Sequence, residues 1–161
     1  GLRPNDRTYN TLIQGWIELK NMDRAMDLFK QMKRNKRVRS DVVTYTLLIS
    51  GWARQMKRMD MAEKVMQDLM NDRNVFPDTR TFNALINGYR CLFREDRNRR
   101  AERMYFWLCK MRDCRLQPNP HTVKHFHRLN LYFPAVDEPF WTSDFGIPFN
   151  PRRHGHPSQR Y

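Results

Sequence analysis

Thr8-Tyr9-Asn10-Thr11-Leu12-Ile13-Gln14-Gly15-Trp16 returns 36 residues later as Thr44-Tyr45-Thr46-Leu47-Leu48-Ile49-Ser50-Gly51-Trp52, and 37 residues after that as Thr81-Phe82-Asn83-Ala84-Leu85-Ile86-Asn87-Gly88-Tyr89. One apolar pattern recurring at such a period marks stacked units, each burying its apolar face against its neighbours.

Within the first two copies, Tyr9, Leu12, Ile13 and Trp16, then Tyr45, Leu48, Ile49 and Trp52, fall at helical spacing on one face. A second amphipathic stretch follows in each unit: Ala25, Leu28, Phe29 and Met32; Ala62, Val65, Met66 and Leu69; Ala101, Met104, Tyr105 and Leu108. Each unit is therefore a helical hairpin, and the fold class is all-α. Gly15, Gly51 and Gly88 sit inside the first helices. Glycine there costs about 1 kcal/mol relative to alanine, so its recurrence predicts close helix approach at all three positions.

Ser40-Asp41, Pro77-Asp78 and Pro118-Asn119 stand just before the next first helix. Proline stops the preceding helix and Asp or Asn caps the next one, which is a sufficient structural reason for both. The stretch from Gly88 to Ala101 is longer than that from Gly15 to Ala25 and carries Arg90, Arg94, Arg97, Arg99 and Arg100. It reads as a basic insertion at the hairpin turn.

A hairpin of this period, opening Thr-Tyr-Asn-Thr-Leu-Ile and closing Pro-Asp, resembles the pentatricopeptide repeat family of RNA-binding solenoids. The resemblance covers roughly residues 1–130 and implies a right-handed α-solenoid whose first helices line a concave face. It divides the chain into the end of an upstream repeat (1–5), repeats at 6–41, 42–78 and 79–119, a capping half-repeat (120–132) and an irregular aromatic, proline-rich basic tail (133–161). The half-repeat opens with a helix from Pro120 that is expected to reach about Asn130 or Tyr132. Because Gly1 to Asn5 read as a closing phrase, the chain is expected to be a fragment of a longer array.

Thirty lysines and arginines against 17 acidic residues give a net charge of +13 and a pI near 10.2. That surplus attracts a polyanion, and nucleic acid is the one that suits it. Lys33, Arg34, Lys36, Arg37 and Arg39 form one cluster and the arginines from Arg90 to Arg103 another, each also readable as a solvated surface. Cys91, Cys109 and Cys114 are odd in number and lack CxxC spacing, so neither a disulfide framework nor a zinc knuckle is implied and the chain suits a reducing compartment. His121, His125 and His127 lack carboxylate or cysteine partners at ligand spacing, so no metal is expected, and no stretch is apolar enough to span a membrane.

Solenoid readers of RNA set one base against each repeat. The resemblance implies that the fifth and last residues of a unit carry the preference: Asn10 with Asp41, Thr46 with Asp78, Asn83 with Asn119, preferring U, G and C in that order. Short amide, hydroxyl and carboxylate groups can donate to or accept from a base edge. The family usually places an aliphatic residue second in the unit, where it helps sandwich the base. Val43 fits, whereas Arg7, Arg80 and His121 depart from the pattern and suit stacking or phosphate contact. Lys124 holds the fifth place of the half-repeat without a partner and suits the RNA backbone.

Phe133, Phe140, Trp141, Phe145 and Phe149 are interspersed with prolines in the tail, which either packs over the last hairpin or meets a protein or RNA partner. The deaminase pattern His-x-Glu with Cys-x-x-Cys is absent, as is a Gly-rich phosphate loop, so neither an enzyme nor a cofactor is expected. The sequence thus points to a single-stranded RNA-binding protein of an organelle, by resemblance a mitochondrion rather than a plastid, acting in RNA processing, stability or translation. The alternative is an architectural subunit of an organellar ribosome or other ribonucleoprotein that binds ribosomal RNA and protein, with the tail as a protein contact. A peptide-binding adaptor would leave the charge and the paired positions without a purpose.

Overall fold

The computed structural model describes residues 4–35, 37–92 and 97–131, and these contain seven α-helices and no strand. The upstream closing phrase in part (Gly1 to Arg3), Lys36, Arg94 and the tail aromatics lie outside the described residues.

Helices α1 (Asp6–Glu18) and α2 (Met22–Arg34) form the first hairpin, α3 (Val42–Ser50) and α4 (Met59–Met70) the second, and α5 (Thr79–Arg90) and α6 (Arg97–Asp113) the third, followed by α7 (Pro120–His127). Every first helix begins on an Asn or Asp. The side chains of Asn5, Asp41, Asp78 and Asn119 accept from the backbone N–H three residues on, satisfying a donor that the helix itself leaves orphaned.

The second-helix stripes read from the sequence are the core. Ala25, Phe29, Met32, Ala62, Val65, Met66, Leu69, Ala101, Met104, Tyr105 and Leu108 are all buried, and Leu28 packs against them half-buried. Tyr45, Leu48 and Ile49 are sealed completely, whereas the equivalent Leu12 is 49% exposed. The difference is one of neighbours: α3 lies between α1 and α5, while α1 has no helix on its other side among the described residues. Successive first helices pack directly on one another and successive second helices stand further apart, so the chain is a solenoid with the first helices on its inner row.

The expected glycine approach holds at two positions and fails at the third. A Cβ on Gly51 would stand 2.9 Å from the Met22 sulfur, and one on Gly88 2.5 Å from the Ala53 Cβ, each time against the preceding hairpin. Around Gly15 nothing lies within 4 Å, because no preceding hairpin is described there.

The extra residue of the second unit is taken up inside a helix. Tyr9 and Tyr45 are 36 residues apart, but Met22 and Met59 are 37 apart. Between them α3 widens into one π-helical stretch, Gly51–Gln55, closed by Met56 N–H donating to the Gly51 carbonyl. Beyond it, Lys57 repeats the left-handed turn of Lys20 (φ 56° and 57°), and α4 starts in register.

The last helix is shorter than expected. α7 ends at His127 because Asn130 turns left-handed at φ 49° and the Leu131 N–H folds back on the Phe126 carbonyl. Phe126 is fully buried against Tyr105, with ring centroids 5.1 Å apart, and anchors α7 to the third hairpin.

Two polar clasps tie the joints on the second-helix side. Tyr45 donates to Asp72 at 2.8 Å and accepts from Lys33 at 2.9 Å. In the next joint one oxygen of Glu63 accepts from Tyr89, Arg103 and the Trp107 indole. Burial would raise the Glu63 carboxyl, but its bonds from Arg103, Tyr89 and Trp107 outweigh that and hold it below the usual range.

Candidate nucleic-acid interface

The three pairs singled out from the sequence meet in space at equivalent places. The link in the first two is a threonine of the following unit. Thr44 Oγ1 lies 2.7 Å from Asn10 Oδ1 and 2.9 Å from Asp41 Oδ1. Thr81 Oγ1 lies 2.8 Å from Thr46 Oγ1 and 2.8 Å from Asp78 Oδ1. In the third joint Asn83 Nδ2 donates directly to Asn119 Oδ1 at 3.0 Å, and Thr122 Oγ1 donates to the same oxygen at 3.2 Å. Thr44, Thr81 and Thr122 are fully buried, so the link is built into the joint rather than laid on its surface.

The one proton of the Thr44 hydroxyl serves either Asn10 or Asp41 at a time, whereas Thr81 can accept from Thr46 while donating to Asp78. An acceptor is left over in the third joint: Asn83 Oδ1 is buried with no partner among the described residues, and the residue is 8% exposed. An orphaned amide oxygen costs about 1–3 kcal/mol, the kind of cost concentrated at ligand sites.

Capping takes a single oxygen of each terminal Asp and leaves the other available for a further contact. Asp41 Oδ1 takes both the Thr44 N–H and hydroxyl, at 2.9 Å each, and Oδ2 has no hydrogen bond among the described residues. Asp78 Oδ1 likewise serves Thr81, while Oδ2 accepts from Arg80 Nε at 3.2 Å. Burial would raise the Asp78 carboxyl, yet the Thr81 N–H, the Thr81 hydroxyl and Arg80 together hold it below its ordinary value.

Arg7, Arg80 and His121 are exposed beside this row, as is Val43 at 45%. Lys124 is exposed on α7 and lines a cleft of about 670 Å³ with Asn119, Val123, His127 and Arg128. A second cleft, about 730 Å³, opens at the start of α1 between Asn5, Asp6, Arg34, Arg37 and Arg39. Those three arginines are exposed and make no ion pair among the described residues. His125, pushed down to about 4 by burial and then by Arg90 and Arg128, is neutral at physiological pH and adds nothing to the positive surface.

The basic insertion needs correction. Arg97, Arg99 and Arg100 belong to the first turn of α6 rather than to a loop. Arg97 donates to the carbonyls of Leu129 and Asn130 beyond α7, and Arg100 to that of Leu92 beyond α5, so both are engaged by backbone. Arg90 is tied to Asn87 and Arg103 to Glu63. Arg90, at the far end of α5, lies about 10 Å along the helix from Asn83 and about 18 Å from Asp78. Lys33 in the other cluster is likewise engaged, by Tyr45 and Asp72.

Sequence reasoning missed the linking threonines, although their signal was in plain view: Thr8, Thr44, Thr81 and Thr122 hold the third place of all four openings. It also missed the Arg80–Asp78 pair, since nothing in a sequence tells an exposed arginine which neighbour to choose.

Comparison with known proteins agrees with this architecture. The sequence model of the PPR repeat family matches residues 4–54 and 40–91, together more than half of the chain. A chloroplastic pentatricopeptide repeat-containing protein of Arabidopsis thaliana is 37% identical over 51 residues, 32% of this chain, and the matched stretch spans 7% of that protein's length. Three joints built to one plan, and a family match across the first two of them, lead to one assignment: the chain belongs to the PPR repeat family, whose members are generally organellar RNA-binding proteins.

Proposed function

We propose that this chain binds single-stranded RNA along the inner row α1, α3, α5 and α7, reading bases with Asn10 and Asp41, Thr46 and Asp78, and Asn83 and Asn119. The observation that carries this is the equivalence of the three joints. The paired residues are 31, 32 and 36 positions apart in sequence, yet each pair is bridged within hydrogen-bond distance at the start of the next first helix. Capping alone requires only the second member of each pair. In this reading the repeats end at residues 41, 78 and 119, Val43 and His121 flank bases, and Lys124 and the Arg34, Arg37 and Arg39 cleft receive phosphates at the two ends of the row. The chain acts by binding rather than catalysis, in processing, stability or translation of organellar transcripts.

The compartment follows from the family and from the chloroplastic relative, which supports an organelle; fractionation separates a mitochondrion from a plastid. One observation favours the architectural role as a second reading: three pairs specify too few bases for a unique transcript site, so in that role an assembly holds the RNA in place. Crosslinking and RNA sequencing from the native organelle, with sedimentation of the protein, decides between them. Short single-stranded sites in free transcripts containing U-G-C support the reader. Crosslinks confined to ribosomal RNA, in protein that sediments only with ribosomal particles, overturn it in favour of a structural subunit that meets ribosomal proteins through residues 133–161.

A further inference from the structure

The residue two places after each terminal Asp or Asn differs from joint to joint: Val43 after Asp41, Arg80 after Asp78, His121 after Asn119. One molecule thus holds three versions of the same place. Val43 has no polar atom, and Asp41 keeps Oδ2 unbonded among the described residues. Arg80 reaches back and donates from Nε to Asp78 Oδ2, the only oxygen of that carboxylate not already serving Thr81. Asn119 receives the His121 backbone N–H at 3.0 Å instead of a side chain.

We propose that Arg80 is a specificity-determining residue of the second reading pair: it occupies the Asp78 oxygen that a base would meet and puts guanidinium donors in its place. This rests on the RNA-binding reading above and deepens it.

A carboxylate alone is an acceptor and selects base edges that carry N–H groups. A guanidinium has five N–H donors. Arg80 is 78% exposed in its side chain and commits only Nε to Asp78, so its two terminal nitrogens have no partner among the described residues. Anchored through Nε, the fork presents donors beside a half-neutralised carboxylate. The second position then accepts bases offering either acceptors or donors, and the preference for G that Thr46 and Asp78 imply is blunted. At the first joint, where Val43 stands in this place, Asp41 keeps its full acceptor character.

The test uses the full chain and four 12-nucleotide single-stranded RNAs, each with a U-N-C core flanked by adenines, where N is A, C, G or U. For the unsubstituted chain the four affinities should lie close together. In Arg80→Val, the ratio of G to the other bases should rise about tenfold, the worth of one good base contact. Arg80→Lys, which keeps the charge and removes the Nε anchor and the fork, should move the ratio toward that of Arg80→Val. Thermal unfolding should not change, because an exposed ion pair contributes little to stability.

A merely electrostatic arginine would lower all four affinities together on substitution and leave their ratios alone; that result overturns the proposal and leaves the RNA reading standing. Failure of the unsubstituted chain to bind any of the four RNAs overturns the RNA reading itself, and this proposal with it.

Discussion

Gly88 lies so close to Ala53 of the preceding hairpin that a Cβ on the glycine would stand 2.5 Å from the alanine methyl. Gly15 occupies the same place in its own helix and has open space around it. Gly88→Ala should therefore destabilise the chain by about 1–3 kcal/mol through overpacking, while Gly15→Ala should stabilise it by up to about 1 kcal/mol through helix propensity. Urea unfolding of the two variants checks this, and shifts of the same sign would contradict it.

The Glu63 clasp makes stability depend on acid. Its folded carboxyl lies below the ordinary value of 4.5 because Arg103, Tyr89 and Trp107 donate to it against the cost of burial. The stabilisation is fully present above that ordinary value and is lost as pH falls through the lowered one. Glu63→Gln should cost about 2 kcal/mol at neutral pH, below the range for a buried pair because solvent still reaches both partners, and should flatten the acid limb of a pH–stability curve. An acid limb as steep as before would show that other carboxylates, Asp72 and Asp78 among them, dominate it.

The proposed reading role of Asp41 should be separable from its capping role. Asp41→Ser keeps a capping oxygen for the Thr44 N–H and removes the second carboxylate oxygen, so melting should change by a few tenths of a kcal/mol at most. Combined with Asn10→Ala, it should weaken binding to an RNA containing the matching U-G-C core while sparing a scrambled one. Equal losses on both RNAs would remove the base-reading role from this pair.

The two arginine clusters should behave differently in salt titrations. Replacing Arg34, Arg37 and Arg39 with Gln should flatten the dependence of RNA affinity on salt, by about 0.7 in log–log slope for each phosphate left without its cation. Arg97→Ala should leave the slope unchanged and lower the melting temperature, since that side chain holds the Leu129 and Asn130 carbonyls. A flattened slope with an unchanged melt in Arg97→Ala would return it to the RNA surface.

The hairpins were legible because their signal is periodic. Tyr45, Leu48 and Ile49 recur at helical spacing, and any fold that buries one copy must bury the next. The proposed reading pairs were legible only through the family resemblance, since Asp41 and Asp78 are equally good caps and a sequence cannot say which oxygen does what. The arginines of α6 were misplaced for the same reason that the Arg80–Asp78 pair was missed. A long, flexible cation within reach of a carbonyl or carboxylate looks in sequence like one facing solvent, and the choice is made by partners as distant as Leu129. Gly15 shows a third limit: the glycine repeats, but the close approach it serves needs a neighbour.

The π-helical stretch at Gly51–Gln55 separates the length of a unit from its position in the stack. A residue added there widens one turn and goes no further, so the starts of α4 and α5 stay in phase with their counterparts. Unit length can then vary while the paired side chains keep the same place in each joint. What selection must conserve in such an array is its pitch, not its residue count.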